Sequence, residues 1–120
     1  MIITNFDTRA DGSNPFIEML PEHTMEAIDN YLIQGFKPGG FLTALIVRDY
    51  KTALRSADFA NKSRFWYVAT WIEELAPIGS IGSHQIIEDW CNDKNEIRTA
   101  HVEQAEKDFE WRTLSGEVQT

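Results

Sequence analysis

Two residues four apart, His84 and Glu88, could place an imidazole and a carboxylate on one helix face as a pair of metal ligands. No third ligand stands at a useful spacing, since His23 and His101 are remote in sequence. A surface histidine near a helix start is the expected outcome, and no metal or cofactor is assigned. Cys91 follows Trp90 without a neighbouring base, and no Gly-x-Ser-x-Gly elbow surrounds any serine. An inert thiol is therefore expected in place of a nucleophile. The carboxylate pairs Glu73-Glu74 and Glu88-Asp89 are adjacent, so they diverge around a helix instead of converging on a substrate. None of these groupings points to an enzyme.

The glycine-rich connections offer a different chemistry. Gly35-Phe36-Lys37-Pro38-Gly39-Gly40 and Ile78-Gly79-Ser80-Ile81-Gly82-Ser83 each lead into a helix start. Unpaired N–H groups and the helix dipole favour an anion there. The candidate ligand-binding residues are Lys37, Gly39, Gly40, Arg48, Arg55, Ser80 and Ser83, with Arg64 able to join a phosphate cage if the arginines converge. Neither connection matches a P-loop or dinucleotide fingerprint. The competing reading is plain helix–helix connection, in which glycine supplies positive φ and proline stiffens the turn. Alanine at Gly40 is expected to impair folding under both readings, whereas Lys37→Ala should leave stability alone.

A third group is aromatic. Phe65-Trp66-Tyr67 with Trp71 lies on one helical stretch, with Phe65 inward by period and Trp66 and Tyr67 pointing away from the core face. Trp111 falls off the thin apolar stripe Val102, Ala105 and Phe109 of the last helix. The candidate partner-binding residues are Trp66, Tyr67, Glu103, Glu106, Glu110 and Trp111. A homodimer would use the same aromatics.

Helices must position all of these groups. Thr24 reads as an N-cap, followed by Met25, Ile28, Tyr31 and Leu32 on one face and Gly35 as the stop. Phe41 to Leu54 reads as a buried helix with a break near Asp49, Ala53 and Leu54 facing inward. Asp58, with Asn61 in the first turn, caps Phe59 to Ala76, where Phe65, Val68, Ala69, Ile72, Leu75 and Ala76 keep the core period and Pro77 ends the run. Ser83 caps a short helix carrying Ile86, Ile87 and Trp90, and a turn at Asn92 to Asn95 precedes a polar helix from Glu96 to Leu114. Residues 1–12 could hold a short strand before a turn at Asp11-Gly12-Ser13-Asn14-Pro15. The expected fold is all-α, a compact domain of five or six helices with a non-helical N-terminal segment. Its parts are an N-terminal extension (1–22), a helical core (23–92), an acidic C-terminal helix (93–114) and a tail (115–120).

The 120 residues suffice for one core, and 42% apolar content belongs to a folded chain. A net charge of −8 argues against direct nucleic-acid binding, which calls for a basic stripe. The acid excess is concentrated late, from Glu88 to Glu117, either as a solvated face or as a surface for a basic partner. No apolar run reaches bilayer length, the first residues lack a secretory pattern, and the single Cys91 fits a reducing compartment. A cytoplasmic protein without membrane contact is expected.

With the elements placed, the stretch from Tyr31 to Trp90 resembles a family of small, mostly uncharacterised proteins of bacteriophages and prophages. The likeness rests on Pro38-Gly39-Gly40-Phe41-Leu42, Asp49, Ala57-Asp58 with Asn61, Pro77, Gly82-Ser83 and Trp90. Arg48 stands where asparagine is expected, and Ile81 where tryptophan is common. The resemblance implies a phage gene product in the host bacterial cytoplasm that manages the host. On that basis the expected function is a non-enzymatic accessory protein that binds and inhibits or modulates a host protein, in counter-defence or host takeover. A partner with a basic, nucleic-acid-binding surface would suit the acidic last helix. The alternative is a small-ligand binder that sequesters a nucleotide at the glycine connections.

Overall fold

The computed structural model describes residues 1–10 and 13–114. The turn expected at Asp11-Gly12 and the tail 115–120 lie outside the described residues. The elements are α1 (Phe16–Met19), α2 (Glu22–Asp29) continuing as a π-helical turn (Asn30–Gln34), α3 (Gly40–Ile46), α4 (Tyr50–Ser56), α5 (Phe59–Ser63), α6 (Phe65–Leu75), α7 (His84–Trp90) and α8 (Glu96–Leu114). Six of these α-helices have seven residues or more, and the fold is an all-helical globule. Among the described residues there is no strand. The β pairing of residues 1–10 is limited to an isolated bridge between Arg9 and Pro15; backbone bonds from Phe16 N to Thr8 O and Ile17 N to Phe6 O, and the polar clasps described below, hold the segment.

Pro21, not Thr24, opens α2: a residue without an N–H suits a helix start, and the helix begins at Glu22. Thr24 is instead buried, and its hydroxyl donates to Asn61 Oδ1. Met25, Ile28, Tyr31 and Leu32 are all buried, as their spacing predicts. The run stops at Gly35, whose φ of +72° is left-handed.

Gly39 and Gly40 need no such freedom. Gly39 has φ −72°, neither residue is left-handed, and a Cβ built on either meets nothing within 4 Å. The geometry therefore gives no reason for alanine at Gly40 to impair folding.

The stretch 41–54 is two helices. The chain breaks at Val47-Arg48-Asp49, where Arg48 takes φ +63° and the Asp49 carboxylate accepts from Thr52 N to start α4. Leu54, expected inward, is half exposed, because the break re-aims α4 so that Ala53 alone of its residues is fully buried. The stretch 59–76 is likewise divided. Asp58 caps α5 as expected, accepting from Asn61 N, but Arg64 (φ −115°, ψ 17°) interrupts the run before α6. The core face of α6 is then Phe65, Val68, Ala69, Trp71 and Ile72, with Leu75 turned outward.

Trp90 has no exposed surface and is the hub of the core. Its indole N–H donates to Tyr31 O at 3.0 Å, and the Tyr31 hydroxyl donates to Ser80 O at 2.8 Å. Truncating so large a buried side chain costs about 3–5 kcal/mol. Arg98 of α8 closes the same region from outside. It donates to Trp90 O (2.7 Å), Asn92 O (3.2 Å) and Ile33 O (3.5 Å), so one cation sits at the carbonyl ends of α7 and of the π-helical turn. Phe6, Phe16 and Leu20 from the N-terminal segment lie in this same core, Phe6 with its ring 4.9 Å from that of Trp71.

Candidate functional site

A cleft of about 310 Å³ lies between the N-terminal segment, the end of α6 and the middle of α8. Ile3, Thr4, Asn5 and Thr8 form one wall, Leu32, Trp71, Leu75 and Pro77 the floor, and His101, Gln104, Ala105 and Asp108 the other wall. The first wall is a strap fastened at two points. The buried Asp29 carboxylate accepts from Ile3 N (3.1 Å), Thr4 N (2.8 Å) and the Thr4 hydroxyl (2.7 Å). From α8, Arg112 donates to Ile3 O (3.1 Å) and pairs with Asp108 (3.0 Å) and Asp7 (3.6 Å). The opposite wall follows helical period: positions 101, 104, 105 and 108 recur at i, i+3, i+4 and i+7.

Two groups in the lining are unusual. Trp71 Nε1 and His101 Nε2 are buried and make no hydrogen bond. Leaving a buried polar group unpaired costs about 1–3 kcal/mol, so such groups are rare in folded proteins. Burial pushes the His101 imidazole below its ordinary pKa, with the negative charge of Asp29 opposing. The ring is thus held toward neutrality, one nitrogen donating and the other accepting. The residues lining the cleft accordingly combine apolar side chains with a tryptophan, a histidine held toward neutrality, an amide and a carboxylate.

The residues singled out in the glycine connections do not assemble one anion site. Lys37 is paired with Glu88 of α7 at 2.8 Å, a bond that raises its pKa. Arg48 is paired with Glu73 of α6 at 2.8 Å, and the Tyr50 hydroxyl donates to the same carboxylate oxygen. Arg55 and Arg64 are exposed on α4 and beside α6. Ser80 is fully buried, its hydroxyl donating to Pro77 O at 2.6 Å, and the Ser83 hydroxyl caps α7 by accepting from Ile86 N. Gly39 and Gly40 form the start of α3, which has only seven residues. The reason is pairing: the folded chain brings a carboxylate to two of these cations and a backbone partner to both serines.

His84 is exposed, and Glu88 is engaged by Lys37. Among the described residues no group of three His, Cys, Asp or Glu side chains could hold a metal ion. The Cys91 thiol is half-buried, and burial raises its pKa, away from nucleophilic character.

Of the partner-binding candidates, Trp66 is 74% exposed and meets Phe65 edge-on at 5.4 Å. Tyr67, expected to point away from the core face, is half-buried and packed against the core. Trp111 is 62% exposed, and Glu103, Glu106 and Glu110 are exposed along α8. Phe59 and Ile78 are more exposed still and carried no signal in the sequence beyond their type.

Trp71 and His101 were not paired by sequence reasoning, which set Trp71 among the aromatics and left His101 isolated. One signal was available. On α8 the face defined by positions 101, 104, 105 and 108 carries two polar residues and a histidine where a core-facing stripe should be apolar.

No helix among the described residues is long and apolar enough to cross a membrane. A scan against protein-family models gives no match for this chain, and searches of curated proteins and of solved structures give none either.

Proposed function

We propose that this is a non-enzymatic binding protein whose ligand is a small organic molecule held in the cleft between the N-terminal strap and α8. The observation that carries the reading is that one cleft is lined by both Trp71 and His101, whose Nε1 and Nε2 atoms are buried without partners. A ligand that hydrogen-bonds them recovers what folding leaves unsatisfied. The volume lies at the lower end of ordinary ligand pockets, about 300–1,000 Å³, and the mix of apolar walls with a few polar groups suits one. In the setting implied by the phage-protein resemblance, such a protein would sequester a small molecule of the host cell.

Indole N–H resonances test this directly. A fragment library titrated into ¹⁵N-labelled protein should move the Trp71 indole signal while those of the exposed Trp66 and Trp111 stay in place. Filling the cleft with Ala105→Phe should abolish the shift. If no fragment of any class moves the Trp71 signal, the reading is wrong.

A second reading has its own observation. Glu96, Glu103, Glu106 and Glu110 recur at i, i+7, i+10 and i+14, one exposed face of α8, and none of them is in an ion pair among the described residues. Like charges at such spacings weaken a helix, which is tolerable where a cationic partner covers the face. That partner would be a host protein with a basic surface, with Trp111 at the edge of the contact. Reversing Glu103 and Glu106 to lysine should then abolish co-purification of the partner from host lysate, whereas Ala105→Phe should not. Unchanged recovery with the reversed charges would sink this second reading.

A further inference from the structure

We infer that the chain associates with a second copy of itself, the acidic face of α8 in one copy docking on the cationic, aromatic surface around α5 in the next. The cleft plays no part in this contact. The inference shares with the second reading above the premise that a cationic surface covers the α8 glutamates, and it names another copy as the source of that surface.

The cationic side is unusual for a chain of net charge −8. From Lys51 to Ile72 the sole acidic residue is Asp58, against Lys51, Arg55, Lys62 and Arg64. All four cations are exposed, and none is in an ion pair among the described residues. Asp58 does not serve them, since its carboxylate accepts from Asn61 N and pairs with His23 at 2.9 Å. Asp49 lies near Lys51 and Arg55, but its carboxylate accepts from Thr52 N at the start of α4. Among these charges stand Phe59, 85% exposed, and Trp66, 74% exposed. Phe59 and Arg64 line one groove with Glu18, Met19 and Leu20.

The acidic side is the face of Glu96, Glu103, Glu106 and Glu110, with Lys107 as the one cation among them and the exposed Trp111 at its edge. No ion pair joins α8 to residues 51–64 within the chain, among the described residues. Each face thus offers what the other lacks. Exposed ion pairs hold little by themselves, so the aromatics must supply most of the contact. A buried aromatic side chain removes about 150–250 Å² from water. Phe59, Trp66 and Trp111 together therefore supply a large part of the roughly 1,000 Å² that a specific contact needs. The charges then decide which faces meet, and because the two faces differ, the contact is head-to-tail. A single-stranded nucleic acid would also suit cations set among aromatics. It would leave the α8 glutamates uncovered, whereas a second copy answers both faces with one contact.

Sedimentation velocity on the full chain tests this. At about 10–500 µM the parent should sediment faster with rising concentration at about 50 mM salt, and should be monomeric at about 500 mM. Glu103→Lys with Glu106→Lys places like charges on both faces, as does Lys62→Glu with Arg64→Glu. Each pair, checked for folding by circular dichroism, should weaken association at least about tenfold. An equimolar mixture of the two variants should associate again, because each then supplies the charge that the other needs. If a reversed variant does not fold, the neutral pairs Glu103→Gln with Glu106→Gln and Lys62→Gln with Arg64→Gln replace it, each expected to weaken association. A parent that stays monomeric throughout would overturn the inference and leave a host protein as the cover for α8. Association that survives either reversal, or a mixture that stays apart, would overturn it too. A monomeric parent that binds a ten-nucleotide single strand, and loses it on Lys62→Glu with Arg64→Glu, would assign the α5 surface to nucleic acid instead.

Discussion

Gly40→Ala should stabilise the protein and Gly35→Ala should destabilise it, although both belong to the same short connection. Gly40 opens α3 without left-handed backbone, and a Cβ there meets nothing within 4 Å. Alanine then narrows the unfolded ensemble without native strain, for a gain of about 0.4–1 kcal/mol. Gly35 has φ +72°, and a Cβ would stand 2.7 Å from Arg98 Cζ. The left-handed conformation costs an L-residue about 1–2 kcal/mol. Pushing the guanidinium off its carbonyls adds about 1 kcal/mol, for a total of about 2–3 kcal/mol. Unfolding entropy of about 2.1 cal/mol/K per residue, taken over 120 residues, makes 1 kcal/mol worth about 4 °C. Gly40→Ala should therefore raise Tm by about 2–4 °C and Gly35→Ala lower it by about 8–12 °C. Urea unfolding followed by circular dichroism measures both, with an unchanged slope showing that the unfolded state is comparable. A loss of more than about 0.5 kcal/mol in Gly40→Ala, or parent-like stability in Gly35→Ala, would refute the assignment of turn geometry to Gly35 alone.

Other perturbations separate local from long-range causes. Arg98→Ala should cost about 2–3 kcal/mol in urea melts, since three carbonyls lose a charged donor, and Arg98→Lys should restore only part because an ammonium cannot fork across them. His101 has a folded-state pKa below its ordinary 6.5, so the unfolded chain binds more protons between those two values. Stability is therefore full above 6.5 and falls as pH drops through the folded value, and His101→Gln should flatten that limb of urea midpoints followed downward from neutral pH. Arg48 holds φ +63° for an exposed ion pair with Glu73, so Arg48→Gly and Arg48→Asn should match or exceed the parent in urea midpoint, and Arg48→Val should fall below it.

The cleft explains why the N-terminal segment is fastened so heavily by Asp29 and Arg112. Those clasps hold residues 3 and 4, while Phe16 N and Ile17 N of α1 donate to Thr8 O and Phe6 O, and together they keep the first wall of the cleft in place. It also gives α8, an overwhelmingly polar helix, a reason for the polar side chains on its inward face.

Most of the helices were legible because their signals are local. Gly35, Asp58, Pro77 and Ser83 each act on the adjacent backbone, and the stripes Met25-Ile28-Tyr31-Leu32 and Phe65-Val68-Ala69-Ile72 repeat within one element. The break near Asp49 was legible from its capping side chain, whereas the interruption at Arg64 was not, since that residue is neither glycine nor proline. The glycine connection around Gly39-Gly40 looked like a device for binding and is the start of a helix, while Gly35 alone carries the left-handed turn.

What the chain determined by itself, then, was where helices begin and end and which side of most of them is apolar, because capping, propensity and periodicity act over a few residues. Tertiary structure decided which polar groups find partners. Lys37 and Arg48 meet carboxylates on α7 and α6, whereas Trp71 and His101, thirty residues apart, line one cleft and leave Nε1 and Nε2 unpaired. Hydrogen-bond satisfaction is a property of distant segments brought together, and no local pattern encodes it.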